Sequence, residues 1–243
     1  MPINVPDNLS AIEIFKNKNI FTKKALIFDM DGTIVDNIPY HNRARLFFLE
    51  KYGIKFHPSE TEVILNLSTK VIVRNYFGNN LSSQEIKALD GEKQLIYRNL
   101  YKGNIKEIDG FKQLLVTAKD KGLKIALSTM GCYENIDLVL NSLKVNSYFD
   151  VIVSGKEITN GKPHPEIYTR TLSLLNINPE EAIVFEDTQS GVLSARQTGI
   201  EVIGVCTTHS QAEFSTWGTA NAVLNYTNYH TNLSRIHETL QYK

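Results

Sequence analysis

Two aspartates one residue apart, Asp29 and Asp31, follow directly on the apolar run Ala25-Leu26-Ile27-Phe28 in the stretch KKALIFDMDGTIVD. An Asp-Gly pair after a strand makes a good turn. Two carboxylates at a buried strand end nevertheless repel each other unless a cation joins them. Three more polar groups stand in the same relation to an apolar run. Ser128-Thr129-Met130-Gly131 follows KIAL, Lys162 lies in GKPHP beyond Val151–Ser154, and Glu186-Asp187 closes AIVF before Thr-Gln-Ser190-Gly191. Singly, each has a structural explanation: a hydroxyl as N-cap, a solvated turn lysine, an acidic pair at a helix start. Collected on one edge of one sheet, they suit a hard dication such as Mg²⁺, which takes oxygen ligands and shares them with a phosphate. A hydroxyl and an ammonium beside it supply what phosphoryl oxygens require.

The elements that must bring these groups together are legible as short apolar runs alternating with longer helical ones, the pattern of an α/β parallel sheet. Strands are expected at Ala25–Phe28, Lys124–Ser128, Val151–Ser154, Ala182–Phe185 and Glu201–Val205, with a weaker one at Ala222–Leu224. They lack strict alternation, as strands covered on both faces do. Apolar stripes at helical spacing mark Gly110–Lys121 and Pro165–Leu175 as crossover helices. In an open parallel sheet, ligands bind where the loops converge at the strands' carboxyl ends. All four polar groups fall there.

Between the first strand and the second lie about ninety residues, far more than one crossover needs. Helices are expected within them at Tyr40–Tyr52, Thr69–Phe77 and Ser83–Tyr101, the last capped by Ser82 or Ser83. Residues 37–106 therefore form a helical insertion, in which Phe47/Phe48 and Leu95/Ile96 read as core stripes. The insertion carries eleven Lys/Arg against six Asp/Glu, so the rest of a chain of net charge +0 is acidic by the same margin. Ahead of the first strand, Ser10 to Glu13 fits a capping box opening a short helix within residues 1–22.

A net charge of +0 argues against general nucleic-acid or membrane-surface binding. Two cysteines, Cys132 and Cys206, give neither a disulfide framework nor metal-ligand spacing. With no signal-peptide pattern and no apolar run approaching the ~20 residues of a membrane span, a cytoplasmic protein is expected.

DMDGT, the Ser/Thr after a second strand, GKPHPEIY and VFEDTQSG resemble, in order and spacing, the four motifs of the haloacid dehalogenase superfamily. The closest branch is the β-phosphoglucomutase-like and phosphoglycolate-phosphatase-like one. The resemblance implies a Rossmann-like, doubly wound α/β core, residues 1–36 and 107–243, with residues 37–106 as a small α-helical cap. It implies Asp29 as nucleophile, Asp31 as general acid/base, and Mg²⁺ held by Asp29, the Asp31 carbonyl, Asp187 and, directly or through a water, Glu186. It implies phosphate binding by Thr129 and Lys162, with Met130 beside them and Ser128 as a one-residue-slip alternative to Thr129. His41 stands where some cap-bearing relatives place a histidine facing the site; a plain surface helix residue is the alternative.

The second aspartate favours phosphoryl transfer over dehalogenation. Where the mutase branch carries groups for a second phosphate, this chain has Asn66 and Thr69 in the insertion and Cys132 and Tyr133 after the second motif. The expectation is thus a monomeric Mg²⁺-dependent phosphatase acting on a small phosphorylated metabolite, with the positive insertion closing over the site. A sugar-phosphate mutase and a non-catalytic phospho-ligand binder are the alternatives.

Overall fold

The computed structural model describes residues 23–67, 69–78, 80–219 and 221–227. The expected N-terminal helix, the Ser68 position and the side chain of Asn66 lie outside that description. The chain divides into two compact units, one made of the residues up to Asp36 and from Lys106, the other Asn37–Ile105.

The first unit is a six-stranded parallel sheet with flanking helices. Its strands are β1 (Ala25–Phe28), β2 (Lys124–Thr129), β3 (Val151–Ser154), β4 (Ala182–Glu186), β5 (Glu201–Val205) and β6 (Ala222–Val223), in the spatial order β3-β2-β1-β4-β5-β6. That order is doubly wound, with its switch point between β1 and β4. β2 and β4 each run one residue further than expected, so Thr129 and Glu186 are the last residues of their strands. β6 stops one residue short, because Leu224 points into solvent at 77% exposure.

Alternation along β1 feeds two apolar layers. Ala25 and Ile27 join Ala126, Val153 and Val184 in a layer closed by Ile167, Tyr168, Leu172, Val192 and Phe214. On the other side Phe28 stacks on Phe185 at 4.8 Å and meets Phe111 edge-on at 5.2 Å, with Tyr226 completing the cluster. The segments that leave and re-enter this unit are tied together by a Val35–Glu107 bridge and by the Ile108 N–H donating to the Ile34 carbonyl at 2.8 Å.

The second unit is helical: α1 (Ile38–Lys51), α2 (Thr61–Asn66), α3 (Thr69–Phe77) and α4 (Ser83–Tyr101). Its own core gathers Phe48, Leu49, Ile64, Ile72 and Val73. α1 starts two residues before the expected Tyr40, because Pro39 is tolerated in a first turn whose N–H groups have no helical partner. Only half of each expected core pair is buried there. Phe48 is in the core and Ile96 packs on it, whereas Phe47 is 45% and Leu95 50% exposed. Consecutive helical residues lie about 100° apart and do not share a face. The helices after the insertion are α5 (Phe111–Asp120), α6 (Tyr133–Leu143), α7 (Glu166–Leu175), α8 (Gln189–Arg196) and α9 (Gln211–Thr216). Among the described residues no helix is long and apolar enough to cross a membrane.

Candidate active site

The register of the sheet assembles the polar groups. Phe28 pairs with Leu127 on one side and Phe185 on the other, which puts Asp29 level with Ser128 and Glu186. The Asp29 N–H continues the ladder to the Phe185 carbonyl at 3.0 Å. Lys162 comes from the loop between β3 and α7. Glu166 ties that loop down by accepting from the Thr159 and Asn160 N–H groups, and Ser194 Oγ donates to the His164 carbonyl.

Lys162 is the centre of the cluster. Its Nζ donates to Asp29 Oδ1 at 2.6 Å, to Glu186 Oε1 at 2.6 Å and to the Ser128 carbonyl at 3.1 Å. Asp29 is 7% exposed and Asp187 fully buried. Burial is the main force raising the Asp29 carboxyl to a pKa of about 7; Lys162 opposes it, while Glu186 and Asp31 add to it. Burial, then the charges of Glu186 and Asp29, push Asp187 well above the ordinary carboxylate range. Burial alone would lower the Lys162 ammonium; Asp29 and Glu186 outweigh it and hold Lys162 well above the usual lysine value. One lysine therefore faces three buried carboxylates, and the site is short of positive charge.

Asp187 sits under the first loop. Its Oδ1 accepts from Thr33 Oγ1 at 3.4 Å and its Oδ2 from Thr208 Oγ1 at 2.9 Å. Gly32 makes this approach possible, since a β-carbon there would lie 2.1 Å from Asp187 Oδ2 and its φ is +76°. Asp31 is partly buried beside it and forms a backbone bridge to Val35.

The two hydroxyls after β2 have different fates. Thr129 Oγ1 accepts from the Gly131 N–H at 3.0 Å and keeps its own proton to donate. Ser128 Oγ instead meets Thr171 Oγ1 at 2.7 Å in the core. Thr171 spends its proton on the Ile167 carbonyl, so the Ser128 proton goes to Thr171. Ser128 thus offers its carbonyl to Lys162 and no hydroxyl to a phosphate, correcting its place as the alternative to Thr129. Met130 is 46% exposed and lays its thioether against Gly161, adding no side-chain donor.

Glu186 is held on all sides by donors. Its Oε1 accepts from Lys162 and from Tyr168 Oη at 2.9 Å, and its Oε2 from the Asp187 and Thr188 N–H groups and Thr188 Oγ1. Its two oxygens accept five hydrogen bonds between them, and through Oε1 it anchors Lys162. Gly191 permits this, because a β-carbon there would overlap the Glu186 carboxylate at 1.8 Å. His41 belongs to the helical unit, where its ring stacks on Tyr97 at 3.8 Å and its Nδ1 lies 3.1 Å from Lys93 Nζ.

Among the described residues no three His, Cys, Asp or Glu side chains form a ready-made metal cage. Mg²⁺ binds through one or two carboxylates and completes its shell with water and substrate oxygens. Two buried carboxylates, Asp29 and Asp187, short of positive charge, have the chemistry for it. The residues that sequence reasoning left without a role are Tyr168, Thr33, Thr188 and Thr208. Only Tyr168 gave a signal: a tyrosine on the buried face of a crossover helix needs a partner for its hydroxyl.

The haloacid dehalogenase-like hydrolase model matches residues 26–205. A phosphorylated carbohydrates phosphatase of Thermotoga maritima is 35% identical over 184 residues, which cover 74% of this chain and 83% of that protein. A solved family IA, variant 3 hydrolase from Entamoeba histolytica superposes with a TM-score of 0.77 at 25% identity, covering 84% of this chain and 94% of its own. The β-phosphoglucomutase of Clostridium difficile gives a TM-score of 0.72 at 25% identity, over 91% and 100% of the two chains. The four loops at the carboxyl ends of β1 to β4 fall within that match, and the chain belongs to the haloacid dehalogenase-like hydrolases, as an enzyme of their phosphatase and β-phosphoglucomutase-like branch.

Proposed function

We propose that the protein is a Mg²⁺-dependent phosphatase of small phosphorylated sugars, working through an aspartyl-phosphate on Asp29. The observation that carries this reading is the placement of Asp29 at 2.6 Å from Lys162 in a buried cluster with Asp187 and Glu186. In this reading a carboxylate oxygen of Asp29 attacks phosphorus and the ester P–O bond breaks, while Asp31 gives a proton to the departing alkoxide. Asp31 then takes a proton from water, whose oxygen attacks the phosphoryl group, breaks the bond to Asp29 and releases phosphate. Lys162 and the free Thr129 proton hold phosphoryl oxygens during both transfers. Mg²⁺, held by Asp29, the Asp31 carbonyl and Asp187, would offset the carboxylate charge and polarise the phosphoryl group. Residues 37–106 serve as the cap and the remainder as the catalytic core.

A phosphorylated sugar is the substrate class favoured by the Thermotoga maritima relative. Neither Cys132 nor Tyr133 has a cationic side chain, so neither supplies a positive charge for the second phosphate of a mutase intermediate. The test is a hydrolysis screen over sugar phosphates with Asp29→Asn as control. Turnover should fall at least ~10³-fold in the variant, because the nucleophile is lost. Hydrolysis retained by Asp29→Asn would sink the mechanism. Isomerisation of a hexose 1-phosphate stimulated by a bisphosphate would replace the phosphatase by a mutase.

A further inference from the structure

We infer that Tyr168 is a positioning residue for phosphoryl transfer: by donating to Glu186 it keeps the Glu186 carboxylate from drawing Lys162 away from Asp29. The inference rests on the role just proposed for Lys162 and Asp29. Tyr168 has no exposed surface, and its hydroxyl donates to Glu186 Oε1, the same oxygen that accepts from Lys162. Lys162 Nζ has three protons and three acceptors, Asp29 Oδ1, Glu186 Oε1 and the Ser128 carbonyl. Asp29 and Glu186 thus compete for one ammonium, each at 2.6 Å.

The competition is balanced by what else each carboxylate accepts. Glu186 Oε2 is filled by two N–H groups and the Thr188 hydroxyl, which leaves Oε1 as the oxygen whose demand is variable. Tyr168 meets part of that demand with a neutral donor, which a buried carboxylate needs when a single cation is shared. The ring adds a second constraint, since its centroid lies 5.1 Å from Lys162 Nζ and presents a π face to the ammonium. A phenylalanine keeps that face and the packing and removes only the hydroxyl. Glu186 would then satisfy itself through Lys162, and the ammonium would shift away from Asp29 and the phosphoryl oxygens.

The experiment compares wild type, Tyr168→Phe, Glu186→Gln and the double variant on one sugar phosphate or aryl phosphate, with Asp29→Asn as control. Tyr168→Phe should lower kcat about 10–100-fold while leaving KM within about threefold, the pattern of a misplaced catalytic group. In the Glu186→Gln background the same substitution should change kcat less than about twofold, because the hydroxyl acts through the carboxylate. Wild-type kcat in Tyr168→Phe overturns the inference, and so do independent, multiplicative effects of the two substitutions. A variant that melts lower but turns over normally per folded molecule overturns it too, leaving Tyr168 a packing role. Activity surviving in Asp29→Asn instead strikes the underlying reading, so the two failures are told apart.

Discussion

At Gly32 two constraints meet, a φ of +76° and an Asp187 oxygen 2.1 Å from where a β-carbon would stand. Gly32→Ala should therefore destabilise by about 2 kcal/mol or more and displace Asp187. Denaturant midpoints and turnover check both effects, and an unchanged midpoint would show that the turn relaxes freely. Asp29 makes a pH prediction. Its folded pKa of about 7 lies above the ordinary 3.8, so the folded protein binds this proton more tightly than the unfolded chain does. The associated stability is whole below pH ~4 and is lost as pH rises through ~7. In metal-free protein, the melting temperature of Asp29→Asn relative to wild type should climb across that window. The offset at any one pH also contains the lost Lys162 pair, so the slope is the readout; a flat difference would contradict the raised pKa.

The elements repeat the lesson that local signals hold where one principle acts alone. α4 begins where Ser82 promised, with the Ser82 side chain accepting from the Glu85 N–H and Glu85 reaching back to the Ser82 N–H. Ser82→Ala should cost about 1 kcal/mol, read as a lowered denaturant midpoint that Ser82→Asp largely restores. Phe48 is the hub of the helical unit, meeting Tyr52 at 5.2 Å and Phe77 at 5.7 Å. Phe48→Ala should cost about 3–5 kcal/mol, whereas Phe47→Ala, at an exposed position, should cost under ~0.5 kcal/mol. Comparable losses at the two positions would contradict the orientation of α1. The sequence predicts this helix but not its buried face, because adjacent phenylalanines satisfy an apolar window equally well. α1 starts ahead of the expected Tyr40 for a different reason: proline breaks helix interiors but not first turns.

Over the whole molecule the formal charge sums to +0, yet the carboxyl end of the sheet buries three carboxylates around one lysine. A dication should thus stabilise the folded protein. At a hundredfold excess over Kd, Mg²⁺ would add about 2.7 kcal/mol, or about 5–11 °C in Tm for a chain of this size. A thermal melt with and without Mg²⁺ measures it, and a shift that persists in Asp187→Asn would remove Asp187 from the metal site. The strands and the loops carrying polar residues were readable beforehand. Parallel strands covered on both faces are unbroken apolar runs, and their polar residues must fall at the ends. What each polar group does there was decided only by tertiary structure. Ser128 and Thr129 differ by one residue and face different partners, a core threonine in one case and the loop in the other. Glu186 and Tyr168 became holders of Lys162 because the β1–β4 register brings Asp29 level with Glu186. Lys162 and Asp29 lie 133 residues apart in the chain. Local sequence specifies the strand ends; only the pairing of distant strands specifies which side chain meets which.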